Sequence, residues 1–145
     1  MKFSFPFVLI IVLLASSACL STGQDLISAS DILRAKGISI EKSLFFDEAR
    51  IAMVEEQLKG RGIKDQRILE VMSRIEREEF IPADYQLFAY DDGALPIAEG
   101  RSIPQPYVIA VMIEALNLQG GDRVLAIGDG SGYQTAILAE LSEEV

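Results

Sequence analysis

The residues best placed to do chemistry lie late in the sequence, at Gly128-Asp129-Gly130-Ser131-Gly132. A short, continuously apolar run, Val124-Leu125-Ala126-Ile127, precedes them, and a pattern with Tyr133, Ile137 and Leu141 on one helical face follows. Strand, glycine bend and helix form the opening unit of a doubly wound α/β domain, and the apolar run is expected to be a buried strand. Gly128 would allow a sharp exit from the strand, Gly130 would let a ligand approach bare backbone, and Gly132 would let the helix start close to the sheet. The helix N-terminus is expected to offer unpaired N–H groups and a partial positive charge to an anionic group. Dinucleotide-binding folds usually space these glycines as Gly-x-Gly-x-x-Gly. The tighter form here fits S-adenosylmethionine, whose amino-acid end carries a carboxylate and no pyrophosphate. A P-loop would need a lysine that the bend lacks. Taken alone, the bend suits a plain strand-turn-helix as well as a cofactor loop, and a nicotinamide-dependent oxidoreductase also stays open on it.

Composition removes several alternatives. The 145 residues contain no histidine, which excludes Ser-His-Asp and Cys-His catalysis within the chain and any zinc site built on imidazole. Cys19 is the single cysteine, so no intrachain disulfide and no Cys-x-x-Cys site can form, and no metal site is expected. Thirteen basic against 22 acidic residues give a formal net charge of -9, which would repel a phosphate backbone, so no nucleic-acid partner is expected.

The bend needs elements to hold it. Ile51, Val54 and Leu58 lie at helical spacing, with Gly60-Arg61-Gly62 as the stop. Asp65 can cap a second helix with Ile68, Leu69, Met72 and Ile75 on its apolar face, so the two read as a helical hairpin. The charged run Glu76-Arg77-Glu78-Glu79 reads as a solvated turn. Residues 80–106 are irregular, with Pro96, Pro104 and Pro106 in the second half, and a stretch this long suggests a functional loop. A third helix then presents Ile109, Met112, Ile113 and Leu116, with Pro106 in its first turn and Gly120-Gly121 at its end.

At the other end, Lys2 and the apolar run Phe3–Ala15, followed by Ser16, Ser17 and Ala18, read as a signal peptide over residues 1–18 rather than a bilayer-spanning helix. Cleavage there would make Cys19 the first residue, open to lipidation or, with Ser16 and Ala18 before it, to plain secretion. A linker or weakly structured segment is expected over 19–44, with Asp31 capping a short helix through Ala35 that Gly37 ends. Export would place the protein in the periplasm or cell envelope, with no transmembrane span in the mature chain.

Several blocks together resemble one family. Val124-Leu125-Ala126-Ile127-Gly128 with Gly130-Ser131-Gly132-Tyr133-Gln134-Thr135-Ala136 is similar to the first motif of protein-L-isoaspartate O-methyltransferases. Leu95-Pro96-Ile97 with Ile103-Pro104-Gln105-Pro106-Tyr107 resembles the substrate loop, with Tyr90-Asp91 as its lead-in. Met53-Val54, Gln57-Leu58, Gly62-Ile63, Val71-Met72 and Arg77-Glu78-Glu79-Phe80-Ile81-Pro82 resemble the N-terminal helices. The resemblance implies that 45–145 is the N-terminal part of a Rossmann-like, S-adenosylmethionine-dependent methyltransferase domain, a fragment preceded by a helical region. Members methylate the carboxylate of isoaspartyl residues in damaged proteins, which are the implied partners, and they are usually cytoplasmic. The resemblance assigns cofactor binding to Gly128, Asp129, Gly130, Ser131, Gly132, Gln105 and Tyr107.

Three departures accompany it. Ala126 stands where the family has an acidic residue for the cofactor's amino group, with Asp129 as a conceivable substitute. The family's Thr-Ile-Ser is Ser102-Ile103-Pro104 here, so the serine linked to activity falls on Pro104 and Ser102 keeps the nearest hydroxyl for a catalytic role. The second strand, with its ribose-binding acid, is expected only beyond Val145. These departures keep an alternative in view, a non-catalytic or truncated exported methyltransferase-like protein of the envelope.

Overall fold

The computed structural model describes residues 40–145. The expected leader, the Cys19 anchor and the Asp31 helix lie outside the described residues.

Helix α1 spans Ile40–Ala52 and runs into a π-helical turn, Met53–Leu58, and a tight turn, Lys59–Arg61. It starts five residues ahead of the expected boundary at 45. Phe46, Arg50, Met53, Val54 and Leu58 form the buried face. Ile51, expected on that face, is exposed, because one residue's rotation carries it about 100° round from Arg50. Gly62 ends the turn at φ 102°, a left-handed conformation that glycine adopts without strain. Helix α2, Gln66–Arg74, begins at Asp65, whose carboxylate accepts the Arg67 N–H at 2.9 Å. That is the predicted cap, and Ile68, Leu69, Val71 and Met72 form the buried face.

The irregular stretch resolves into short 3₁₀ turns, Arg77–Phe80 and Ala83–Phe88, and a small ribbon. Strand β1 (Leu95–Pro96) pairs antiparallel with β2 (Ser102–Ile103), Leu95 opposite Ile103. Helix α3, Pro106–Leu116, has proline in its first turn as expected and buries Ile109, Ala110 and Ile113. Met112 and Leu116 face outward instead, and the helix stops at Asn117 (φ 50°) before either glycine. Asparagine is one of the few residues that tolerate a left-handed helix end. Glu114 ties α3 to α2 by accepting the N–H groups of Lys64 and Asp65 at 2.7 and 3.0 Å. Helix α4, Tyr133–Leu141, packs Tyr133, Ile137, Leu138 and Leu141 into the same core and lies against α2.

Two expectations need correction. Val124–Ile127 is not a buried strand: Leu125 and Ile127 are 82% and 86% exposed, while Val124 and Ala126 lean on the core. A strand is buried only when neighbours flank it, and here the sole pairing is a parallel bridge between Arg123 and Glu144, with Val124 N–H donating to the Glu144 carbonyl at 2.8 Å. The chain therefore leaves that segment, turns through the glycine bend and α4, and returns alongside in parallel, the start of a βαβ crossover. The charged run is not a solvated turn either, since Arg77 and Glu78 are buried. Among the described residues, no helix is long and apolar enough to cross a membrane.

Candidate functional site

The glycine bend forms one wall of a cleft of about 360 Å³. Residues 124–131 line it on one side, Ser102 and Pro104 on another, and Leu116 of α3 with Gln134 and Leu138 of α4 complete it. The fold thus brings the bend and the proline-rich segment together, as the sequence implied. Gly128 and Gly132 take φ values of 86° and 81°, which side chains rarely adopt. A Cβ at Gly130 would lie 2.8 Å from Arg101 Nη1 and 3.1 Å from Ile97 Cδ1, so those two side-chain ends lie against the bend and would have to shift to admit one.

Arg77 holds the bend to the ribbon. Its guanidinium is fully buried, donating from Nε to the Ala89 carbonyl and from Nη2 to the Pro104 carbonyl, both at 2.7 Å. It also lies 4.8 Å from the centre of the Tyr133 ring, at the first residue of α4, and Phe80 meets the same ring edge-on at 5.4 Å. Burial lowers the Arg77 pKa from its ordinary value and pushes the Tyr133 hydroxyl up to about 12, the Arg77 charge opposing the latter. Next to it, Tyr90 donates to the Glu78 carboxylate and accepts from Arg50 Nη1 at 3.1 Å. Sequence reasoning missed this cluster because a 3₁₀ turn has no amphipathic period. The one available signal was that the family resemblance runs unbroken through the charged residues.

The first turn of α4 is not open. Asp129 Oδ1 accepts the Gly132 N–H at 3.1 Å and Oδ2 accepts the Thr135 N–H at 2.6 Å, while Ser131 Oγ accepts the Tyr133 N–H at 3.1 Å. The N–H groups of Gly132, Tyr133 and Thr135 are thus capped by the bend's own side chains. A bound carboxylate must look to the backbone of Gly128–Ser131 or to another cation. Burial works against the Asp129 charge, but the hydrogen bonds from Thr135, Ser131 and Gly132 outweigh it and hold its pKa below the ordinary carboxylate range. A carboxylate depressed in the folded state contributes stability that is complete above about pH 4 and fades as pH falls through the lowered value. Asp129→Ala is expected to cost about 1 kcal/mol at pH 7, and the difference from the unaltered chain should shrink on acidification. Urea unfolding at pH 7 and pH 3 checks both.

Of the other residues assigned by resemblance, Ser102 is exposed and lines the cleft. Gln105 and Tyr107 face elsewhere: Gln105 Nε2 donates to Asp92 at 2.8 Å, and the Tyr107 ring lies 3.7 Å under the Arg61 guanidinium. They do not line the cleft. Open backbone at Gly128, a cleft within the common size of small-ligand sites, and an Asp129 carboxylate turned into its own helix together suit a ligand with an amino-acid tail.

Comparison with known proteins agrees with the geometry. The model of a family described as Protein-L-isoaspartate(D-aspartate) O-methyltransferase matches residues 48–145. The chain is 51% identical over 107 residues to a Protein-L-isoaspartate O-methyltransferase 2 from Anaeromyxobacter sp. (strain Fw109-5), covering 74% of this chain and 44% of that protein. It is 54% identical over 100 residues to the Protein-L-isoaspartate O-methyltransferase of Dictyoglomus thermophilum, covering 69% and 45%. A solved protein-L-isoaspartate O-methyltransferase superposes with a TM-score of 0.54 at 30% identity, over 66% of this chain and 32% of that one. The chain thus spans somewhat under half the length of these two sequence relatives. The fold is part of the expected α/β methyltransferase domain.

Proposed function

The chain belongs to the protein-L-isoaspartate(D-aspartate) O-methyltransferase family, and from that premise we propose that it serves S-adenosylmethionine-dependent methylation of isoaspartyl carboxylates in damaged proteins. The observation that carries this reading is the cleft in which Ser102 and Pro104 face the Gly128–Ser131 backbone. The donor supplies an electrophilic methyl group on sulfur. Gly128, Gly130 and Ser131 would hold its amino-acid tail, with Gln134 at the cleft wall. A carboxylate is ionised and nucleophilic at pH 7, so no base is needed. When bound, the donor would supply a methyl carbon to which a carboxylate oxygen could bond as the carbon–sulfur bond breaks, the sulfur keeping that electron pair with no proton to move. Alignment supplies most of the acceleration. The Arg77 joint supports that role, since it fixes the Pro104 loop against the first residue of α4. Ser102 supplies a hydroxyl at the wall of the same cleft.

Transfer of labelled methyl from S-adenosylmethionine to an isoaspartyl peptide, with the aspartyl isomer as control, tests the reading. Label on the isoaspartyl peptide alone is the expected result, and no label on either sinks it. The non-catalytic alternative draws support from Pro104, whose ring offers no hydroxyl and whose carbonyl is engaged by Arg77. The charge-free run Phe3–Ala15 supports export of the chain to the periplasm or cell envelope, with Cys19 as first residue and candidate lipid anchor. An intact mass that retains residues 1–18 in the cell-derived protein contradicts export.

A further inference from the structure

Gln105 and Tyr107 do not line the cleft, and both belong instead to a cluster at the root of the ribbon. Residues 93–104 carry that ribbon, and the side chains at the two ends of the stretch meet. Gln105 Nε2 donates to Asp92 Oδ1 at 2.8 Å, which closes the neck. Arg61, the last residue of the tight turn after α1, donates from Nη1 to both Asp92 oxygens at 2.9 and 3.1 Å. The same guanidinium covers the Tyr107 ring in the first turn of α3, 3.7 Å from its centre. The helical hairpin, the ribbon's root and α3 are thus clasped at one point. The stretch that bears Ser102 is held twice over, by the buried Arg77 at the Pro104 carbonyl and by this exposed clasp one residue on. The two holds differ in kind. Arg61 and Asp92 are 40% and 50% exposed, and contacts of that sort are weak singly, so the clasp can open while the core stays folded.

We propose that Arg61, Asp92, Gln105 and Tyr107 are positioning residues whose clasp, when closed, keeps the ribbon placed so that Ser102 stands at the cleft wall. When open, it frees the ribbon's neck and leaves Arg77 to hold Pro104. The proposal rests on the methyltransferase reading for what Ser102 is positioned against, and it gives Gln105 and Tyr107 a part in the site that does not require them to touch the donor. A guanidinium stacked on a ring and forked onto a carboxylate is fixed in plane and reach, which a lysine cannot reproduce.

The test is amide hydrogen exchange by NMR on the isotope-labelled chain, followed by methyl transfer. Asp92→Ala is expected to speed exchange of the Ile97 amide, which donates to the Arg101 carbonyl at 2.9 Å, about fivefold, and to leave the α4 amides unchanged. Asp92→Asn keeps an acceptor for Gln105 and Arg61 and should return exchange to within about twofold of the unaltered chain. Arg61→Lys should speed it about threefold. Added salt should speed Ile97 exchange more in the unaltered chain than in Asp92→Asn, because screening acts on the ion pair. In methyl transfer to an isoaspartyl peptide, Asp92→Ala should lower kcat about fivefold at a KM within about twofold, and Asp92→Asn should restore it. Ile97 exchange left unchanged by Asp92→Ala, or raised equally throughout α4, overturns the clasp. A loosened ribbon with kcat unchanged overturns its positioning role. No transfer by the unaltered chain removes the methyltransferase reading instead, and Ile97 exchange with the Asp92→Asn rescue then decides the clasp by itself.

Discussion

Replacing Arg77 with alanine is expected to lower the unfolding free energy by about 3–5 kcal/mol, a large part of what a small domain has. The change strips the Ala89 and Pro104 carbonyls of their donor inside the protein and removes the cation lying on the Tyr133 ring. Hydrogen bonds from a charged group are worth about 1.5–3 kcal/mol each, and the relief of no longer burying a guanidinium offsets part of that loss. Tyr133→Phe is the control. Its buried hydroxyl makes no well-formed hydrogen bond among the described residues, although the Arg77 guanidinium acts on it, so removing it should change stability by less than about 1 kcal/mol. Urea unfolding of both variants decides the matter, and an Arg77→Ala loss under about 1 kcal/mol would mean that the carbonyls find other donors at little cost.

Removing the Glu78 carboxylate is the second large effect. Glu78→Ala takes away the acceptor of the Tyr90 hydroxyl and the acidic neighbour of Arg50, whose Nη1 lies 3.9 Å from Glu78 Oε1, with both side chains under a tenth exposed. A buried hydroxyl then lacks its acceptor and a buried guanidinium keeps only Asp47 and Tyr90, at an expected cost of about 2–3 kcal/mol. Glu78→Gln preserves the acceptor and should cost about 1 kcal/mol. Burial, reinforced by the Glu78 hydrogen bond, raises the Tyr90 pKa well above the ordinary tyrosine value, so this link persists across the neutral and mildly alkaline range. A thermal melt of the two variants that finds them equal would assign the effect to lost volume rather than to the lost acceptor.

What could be read from the sequence was what repeats along a helix or follows from turn chemistry. The Asp65 cap, the Ile68–Met72 face, proline opening α3 and the Tyr133–Leu141 face all stand as expected. The pairing of the bend with the proline-rich segment was legible only through the family resemblance, because residues 102–104 and 128–131 are joined by tertiary folding and by no local pattern. Val124–Ile127 was misread because an apolar run says what a segment could bury and nothing about whether neighbours cover it. The charged run was misread because its partners, Tyr90, Ala89 and Pro104, stand 12 to 27 residues further on. Asp129 was weighed as a ligand for a bound amine, but an acid four residues ahead of a helix's first residue has a nearer task in capping it.

The placing of Tyr133 gives the bend its own optical gauge. The chain has no tryptophan and four tyrosines, so its near-ultraviolet absorbance and emission come from tyrosine. One of the four is sealed beneath the bend between a guanidinium and a phenyl ring. Its phenol is held back to about 12, so alkaline absorbance should report on this corner. No dye or label is needed to watch it loosen.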